Sequence, residues 1–122
     1  MSNLQELLRL FIREGSIAAM VVSWDGFLIE GVAKSEEAVS VGMEAIGAVI
    51  STSIGSTEVI GRELNVGAVK VAMFEFEKGT VLVKILGSSG ILAILVDPGA
   101  NLGLPRLQIR KLAPDIEAAL AV

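Results

Sequence analysis

The sequence predicts an α+β fold, a five-stranded and mainly antiparallel sheet with helices on both faces, in the order α-β-β-α-β-β-β-α. Three observations carry this reading. Two runs, IAAMVVSW at 17–24 and ILAILV at 91–96, are apolar on both sides of a strand, so each wants cover above and below. Every connection between predicted strands but one is short and built from Gly, Asp, Ser or Lys, which joins neighbours antiparallel. Three other segments carry helical periodicity, enough to cover both faces. The 122 residues leave room for one core, and 1–122 reads as a single domain.

Residues 3–13 read as the first helix. Leu4, Leu7, Leu8, Phe11 and Ile12 fall on one stripe, Asn3 and Glu6 have capping-box spacing, and Gly15 suits a helix stop. A strand follows at 17–24, and Asp25-Gly26 has the composition of a type I′ turn into a partner strand at 27–32. Ser35 suits the cap of the next helix, with Glu36 and Glu37 in a first turn where the helix dipole favours acids.

That second helix, read over 36–64, has too much apolar surface for one-sided burial. Val39, Met43, Ile46, Ile50, Ile54 and Leu64 form a stripe for the chain's own sheet. A second flank holds Val41, Ala45, Ala48, Val49 and Val59, and the two span roughly 240° of the wheel against ~100° for a one-sided helix. Small residues crowd the segment too, from Gly42 through Gly47, Ser51 and Gly55, although each Gly costs about 1 kcal/mol of propensity relative to Ala. Close approach of another backbone accounts for them. The helix is therefore expected to pair with a second copy of itself through Val41, Gly42, Ala45, Ala48 and Val49; the alternative is that all of this surface is internal core. The narrow remaining face, with Glu44, Gly47, Ser51, Glu58 and Arg62, reads as wet and available to a partner. No membrane insertion is expected, because charges interrupt every run of ~20 residues here.

Residues 68–77 (AVKVAMFEFE) read as a strand with Val69, Val71 and Met73 on one face and Ala68, Ala72, Phe74 and Phe76 with Lys70 on the other. Glu77-Lys78-Gly79 turns into an alternating strand at 80–86, and Gly87-Ser88-Ser89-Gly90 turns into 91–96. A last helix from about 101 to 120 puts Ile109, Leu112, Ile116 and Leu120 on one face and Arg106 and Arg110 outside it. Pro114 is expected to kink or restart that helix.

Composition excludes more chemistry than it suggests. Apolar residues are 52% of the chain and charged ones only 20%, so some apolar surface is expected in an interface. A net charge of −4 argues against nucleic acid or an anionic membrane as the main partner. Without Cys there is no disulfide, thiol catalysis or thiolate metal site; without His, the commonest base and metal ligand are gone. The first fifteen residues lack the basic start and apolar run of a signal peptide, so a cytoplasmic location is expected.

Each candidate site has a plainer reading. A Ser-Lys nucleophile would need Lys34, Lys70, Lys78 or Lys84 aligned with a serine, and all four fall at exposed strand or turn positions. Glu36/Glu37 and Glu75/Glu77 read as a helix start and a solvated strand edge. Gly87-Ser88-Ser89-Gly90 lacks the Lys and following helix of a phosphate loop, and Asn101-Leu102-Gly103 reads as a turn before an anion site. Asp25, Glu77 and Asp97 have no metal-ligand spacing. Trp24, the single Trp, suits either a partner anchor or a strand-end core position. No catalytic residue, cofactor or metal is expected.

Three stretches resemble the Roadblock/LC7 family, which includes dynein light-chain Roadblock and the bacterial MglB-like proteins. They are GSIAAMVVSWDGFLIE at 15–30, the long small-residue helix, and VLVKILGSSGILAILVDPGANLGLPRLQIRKLAPDIEAAL at 81–120. The resemblance implies a profilin-like sandwich and a homodimer made by pairing the long helices and joining sheets edge to edge. Its joining strand corresponds to 68–77, which puts Val69, Val71 and Met73 at the expected interface beside the helix residues. It also implies a non-enzymatic regulator or partner of a small Ras-like GTPase, because MglB-like members stimulate GTP hydrolysis without donating a catalytic residue. The alternative is a structural adaptor that scaffolds a motor or signalling complex without GTPase dependence.

Overall fold

A computed structural model describes residues 3–35 and 42–121. It contains helix α1 (Asn3–Arg13), strands β1 (Ala18–Val22) and β2 (Leu28–Ala33), and helix α2 (Met43–Glu63). Strands β3 (Val71–Phe76), β4 (Gly79–Ile85) and β5 (Ile91–Val96) follow, and helix α3 (Gly103–Leu120) closes the order. The five strands form one sheet in the order β2-β1-β5-β4-β3, with every neighbouring pair antiparallel. This is the α+β sandwich that the sequence predicts.

The two central strands are the two doubly apolar runs. On one face Ala19, Val21, Leu92 and Ile94 pack with Leu8 and Phe11 of α1 and Ile109 and Ile116 of α3. On the other, Met20, Val22, Ile91 and Ala93 pack with Ile50 and Ile54 of α2. Adjacent residues of one strand thus enter different cores, which is why no polar residue interrupts them.

Chain ends of the helices follow from local chemistry. Gly15 (φ +104°) lets the Ser16 amide donate to the Phe11 carbonyl and its own to Ile12, closing α1 as a Schellman motif. Asn65 (φ +57°) does the same for α2, with Val66 donating to Gly61 and Asn65 to Arg62.

Several expectations need correction. The Asp25-Gly26 turn is not a two-residue type I′ turn. The Ser23 amide donates to the Phe27 carbonyl and Gly26 to Ser23, with positive φ at Gly26 but not at Asp25, so three residues form the loop. The extra residue strengthens the twist there, and a bulge at Ile29 follows in the same hairpin. Pro114 does not restart the last helix, which runs through it. It sits on the exposed side, where water can satisfy the Arg110 carbonyl it leaves unbonded. The described part of the long helix starts at Met43, and Glu36, Glu37, Val39 and Val41 lie outside the described residues.

Candidate functional site

The buried face of α2 is drawn by small residues as much as by large ones. Gly47, Ile50, Ser51, Ile54 and Gly61 are its buried positions, while Ile46 and Leu64, expected in the sheet-facing stripe, are exposed. Steric contact explains the rotation. A Cβ on Gly47 would lie 2.6 Å from Val22 Cγ1, and one on Gly61 would lie 2.2 Å from the Gly67 carbonyl oxygen. The helix backbone rests directly on β1 and on the loop after α2, so the small residues serve contact with its own chain at these two points.

The wet face read from the sequence therefore breaks up. Gly47 and Ser51 are buried, and the Ser51 hydroxyl donates to the Trp24 carbonyl at 2.8 Å. Glu58 is half-buried, and its carboxylate accepts the Val69 amide at 3.0 Å, holding the loop into β3. Of the five residues, Glu44 and Arg62 are the exposed ones. Eighteen residues apart at 100° each, they fall in line on one flank of α2.

Topology then opens the opposite flank. The crossover from β2 to β3 passes from one sheet edge to the other, yet α2 packs over β1 and β2. On that face Val83 of β4 still packs with Ile50 and Ile54 of α2, but Phe74 and Phe76 of β3 extend past the helix and are exposed. Between them lies a cleft of about 370 Å³ whose walls are Ala45, Ile46, Val49 and Ser53 of α2 against Phe74 and Phe76 of β3, with Val81 and Ile50 at its base. Val49 is 65% exposed and Phe76 61%, and Ile60 and Leu64 extend the apolar strip along the helix. An exposed apolar tract of this extent marks a contact surface. Strand β3 adds a free edge, since its one partner among the described strands is β4.

The expected interface residues do not all meet there. Ala45 and Val49 line the cleft, whereas Ala48 faces the hairpin, its Cα 3.4 Å from where a Gly26 side chain would begin. Val71 and Met73 lie opposite Lys84 and Leu82, so both project to the α3 face of the sheet, and Arg106 Nη2 contacts Met73 Sδ at 3.7 Å. Gly42 is exposed at the start of α2, and Val69 is half-buried beside Glu58. Phe74 and Phe76 were the missing residues. Their alternation is visible in the sequence, but their position across from α2 depends on the crossover.

The remaining candidates are structural. Trp24 is 36% exposed, and its indole N–H donates to the Gly87 carbonyl at 2.9 Å, fastening the first hairpin to the Gly87–Ser89 turn. The Asn101 side chain accepts the Gly103 amide at 2.9 Å and so caps the turn into α3. Among the described residues, no three His, Cys, Asp or Glu side chains gather closely enough to hold a metal ion. No helix among them is long and apolar enough to cross a membrane.

Fold and face together define an α+β sandwich with an unpartnered apolar contact surface along its longest helix. The chain belongs to the Roadblock/LC7 family, whose domain model matches residues 4–96. A protein of Methanocaldococcus jannaschii without an assigned function, MJ0310, is 37% identical over 112 residues, covering 92% of this chain and 94% of that one. Among solved structures, Myxococcus xanthus MglB superposes with a TM-score of 0.87 at 17% identity, over 97% of this chain and 94% of MglB. A Roadblock/LC7 domain from Streptomyces avermitilis superposes at 0.84 with 18% identity, over 99% of this chain and all of the other. At these identities the two structures show a shared fold.

Proposed function

We propose that this chain is a non-enzymatic, homodimeric regulator of a small Ras-like GTPase. The observation that carries the proposal is the cleft between α2 and β3, an apolar surface that its own fold leaves open beside a free strand edge. A second copy related by a twofold axis fits both features, because one chain then supplies the helix strip and the edge strand that the other needs. Burying one Phe side chain contributes about 1.5–3 kcal/mol, and the cleft presents two Phe and two Val per protomer. Family membership and the MglB-like fold favour a GTPase as the protein that the dimer serves.

The GTPase would dock on the flank of α2 that carries Glu44 and Arg62, away from the cleft, with Ser51 and Glu58 holding the hairpin and the β3 loop beneath it. Regulation would proceed by selecting one arrangement of the partner's switch regions. The protein would work where such GTPases do, in the cytoplasm.

Single-turnover GTP hydrolysis by a Ras-like GTPase from the same genome, with and without excess of this protein, tests the reading. Acceleration of about tenfold, equivalent to about 1.4 kcal/mol of barrier, is expected. An unchanged rate together with equal binding of the GTP and GDP states would transfer the dimer to the adaptor role.

A further inference from the structure

On the other face of the sheet, α3 and the β3–β4 edge enclose an open groove of about 630 Å³. Three cations face it, Lys84 from the sheet and Arg106 and Arg110 from the helix, with the Lys70 backbone at its rim. Glu117 is the one acid among the lining residues. Its accessible apolar surface is Val71, exposed above the buried Leu82 and Ile109. This concentration runs against the whole chain, which carries 14 acids and 10 bases.

Nothing in the fold pays for gathering these charges. No ion pair among the described residues engages Lys84, Arg106 or Arg110, and the one side-chain hydrogen bond they make is Arg106 with Met73. Lys84 is half-buried, opposite Val71 in the β3–β4 register, and so stands on the α3 face of the sheet. Arg106 and Arg110 are one helical turn apart, so their like charges repel across neighbouring positions. An anion in the groove offsets that repulsion.

We propose that this groove binds an acidic peptide segment of a partner protein, its carboxylates on Lys84, Arg106 and Arg110 and its apolar side chains against Val71. Three observations favour a peptide over other anions. The cations stand on both walls of an elongated β-edge and helix, which suits a row of charges and not one phosphate. They are exposed or half-buried side chains with no backbone nest or buried donor converging on a single point. The site is also concave, whereas a lipid surface is met by a flat or convex basic patch. The inference goes beyond the dimer and GTPase reading and does not rest on either.

The test is fluorescence anisotropy with a labelled octapeptide of alternating Glu and Leu, titrated with the full chain. Saturable binding that weakens as salt rises is expected, because steering and pairing are both electrostatic. R106E/R110E should lose about tenfold or more in affinity, whereas K34E/K78E, which changes net charge equally outside the groove, should lose less than about threefold. Equal loss in the two variants would reduce the effect to net charge and overturn the site. Absence of saturable binding by the wild-type chain at low salt would also overturn it. Two competitors complete the experiment: tripolyphosphate and phosphatidylserine vesicles. If either binds through Arg106 and Arg110 while the peptide does not, the groove belongs to that anion and the peptide assignment fails.

Discussion

The Ser51 hydroxyl donates to the Trp24 carbonyl at 2.8 Å, a bond between the middle of α2 and the tip of the first hairpin. The residues are 27 apart in sequence, and the bond sits just past the end of β1, where Gly47 brings α2 against Val22. Ser51→Ala removes the donor and leaves a carbonyl at a partly buried site without its partner. The expected loss is about 1 kcal/mol of stability, read as a lower urea midpoint at fixed protein concentration. Trp24 is the single Trp, so its emission reports the hairpin directly and should shift in the native state as well. An unchanged midpoint and spectrum would mean that α2 is held there by packing alone.

Two glycines of α2 should respond in opposite directions to the same change. Gly55 has no heavy atom within 4 Å of a built Cβ, so Gly55→Ala collects only the helix-propensity gain of about 1 kcal/mol or less. At Gly61 the new methyl would meet the Gly67 carbonyl at 2.2 Å, and backbone cannot rotate away as a side chain can. Gly61→Ala should therefore cost roughly 1–3 kcal/mol despite the same propensity gain. Thermal melts of the pair on one preparation check this; stabilisation by both would place Gly61 away from the loop.

For the GTPase flank, Arg62→Glu and Glu44→Lys are the clean probes, since both side chains are exposed. Each should weaken binding of the GTP-loaded partner about tenfold, the range of a rim or near-rim charge reversal, with the light-scattering mass unchanged. Glu58 is unsuitable for the purpose, because its carboxylate also holds the Val69 amide. Titration of the GTPase into each variant gives the answer, and wild-type affinity in both would move the docking site off this flank.

Much of the architecture is legible from periodicity. The first helix and β5 fall where their patterns put them, because an uninterrupted stripe or a doubly apolar run admits few alternatives. The hairpin turn type is not legible, since Asp-Gly serves both a two-residue turn and a three-residue turn that ends on Gly. The faces of α2 mislead for a different reason. A hydrophobicity wheel looks for large apolar residues inward, but this helix rests its backbone on Val22 and on the Gly67 carbonyl, so Gly47, Ser51 and Gly61 mark the core and Ile46 turns outward. The candidate site suffers most from this. Phe74 and Phe76 join Ala45 and Val49 only through a crossover spanning the whole sheet, a relationship that residues about 25 apart do not reveal by spacing.

The central claim, that the α2–β3 cleft is closed by a second copy of the chain, is tested most directly by the mass in solution. Size-exclusion chromatography with light scattering should return twice the 12.7 kDa of the chain for the wild type. Val49→Glu and Phe76→Glu, each exposed in the single chain and tolerable to its fold, should return the mass of one chain with the helical signal retained. A wild-type mass of one chain, or a dimer that survives both substitutions, would contradict the account.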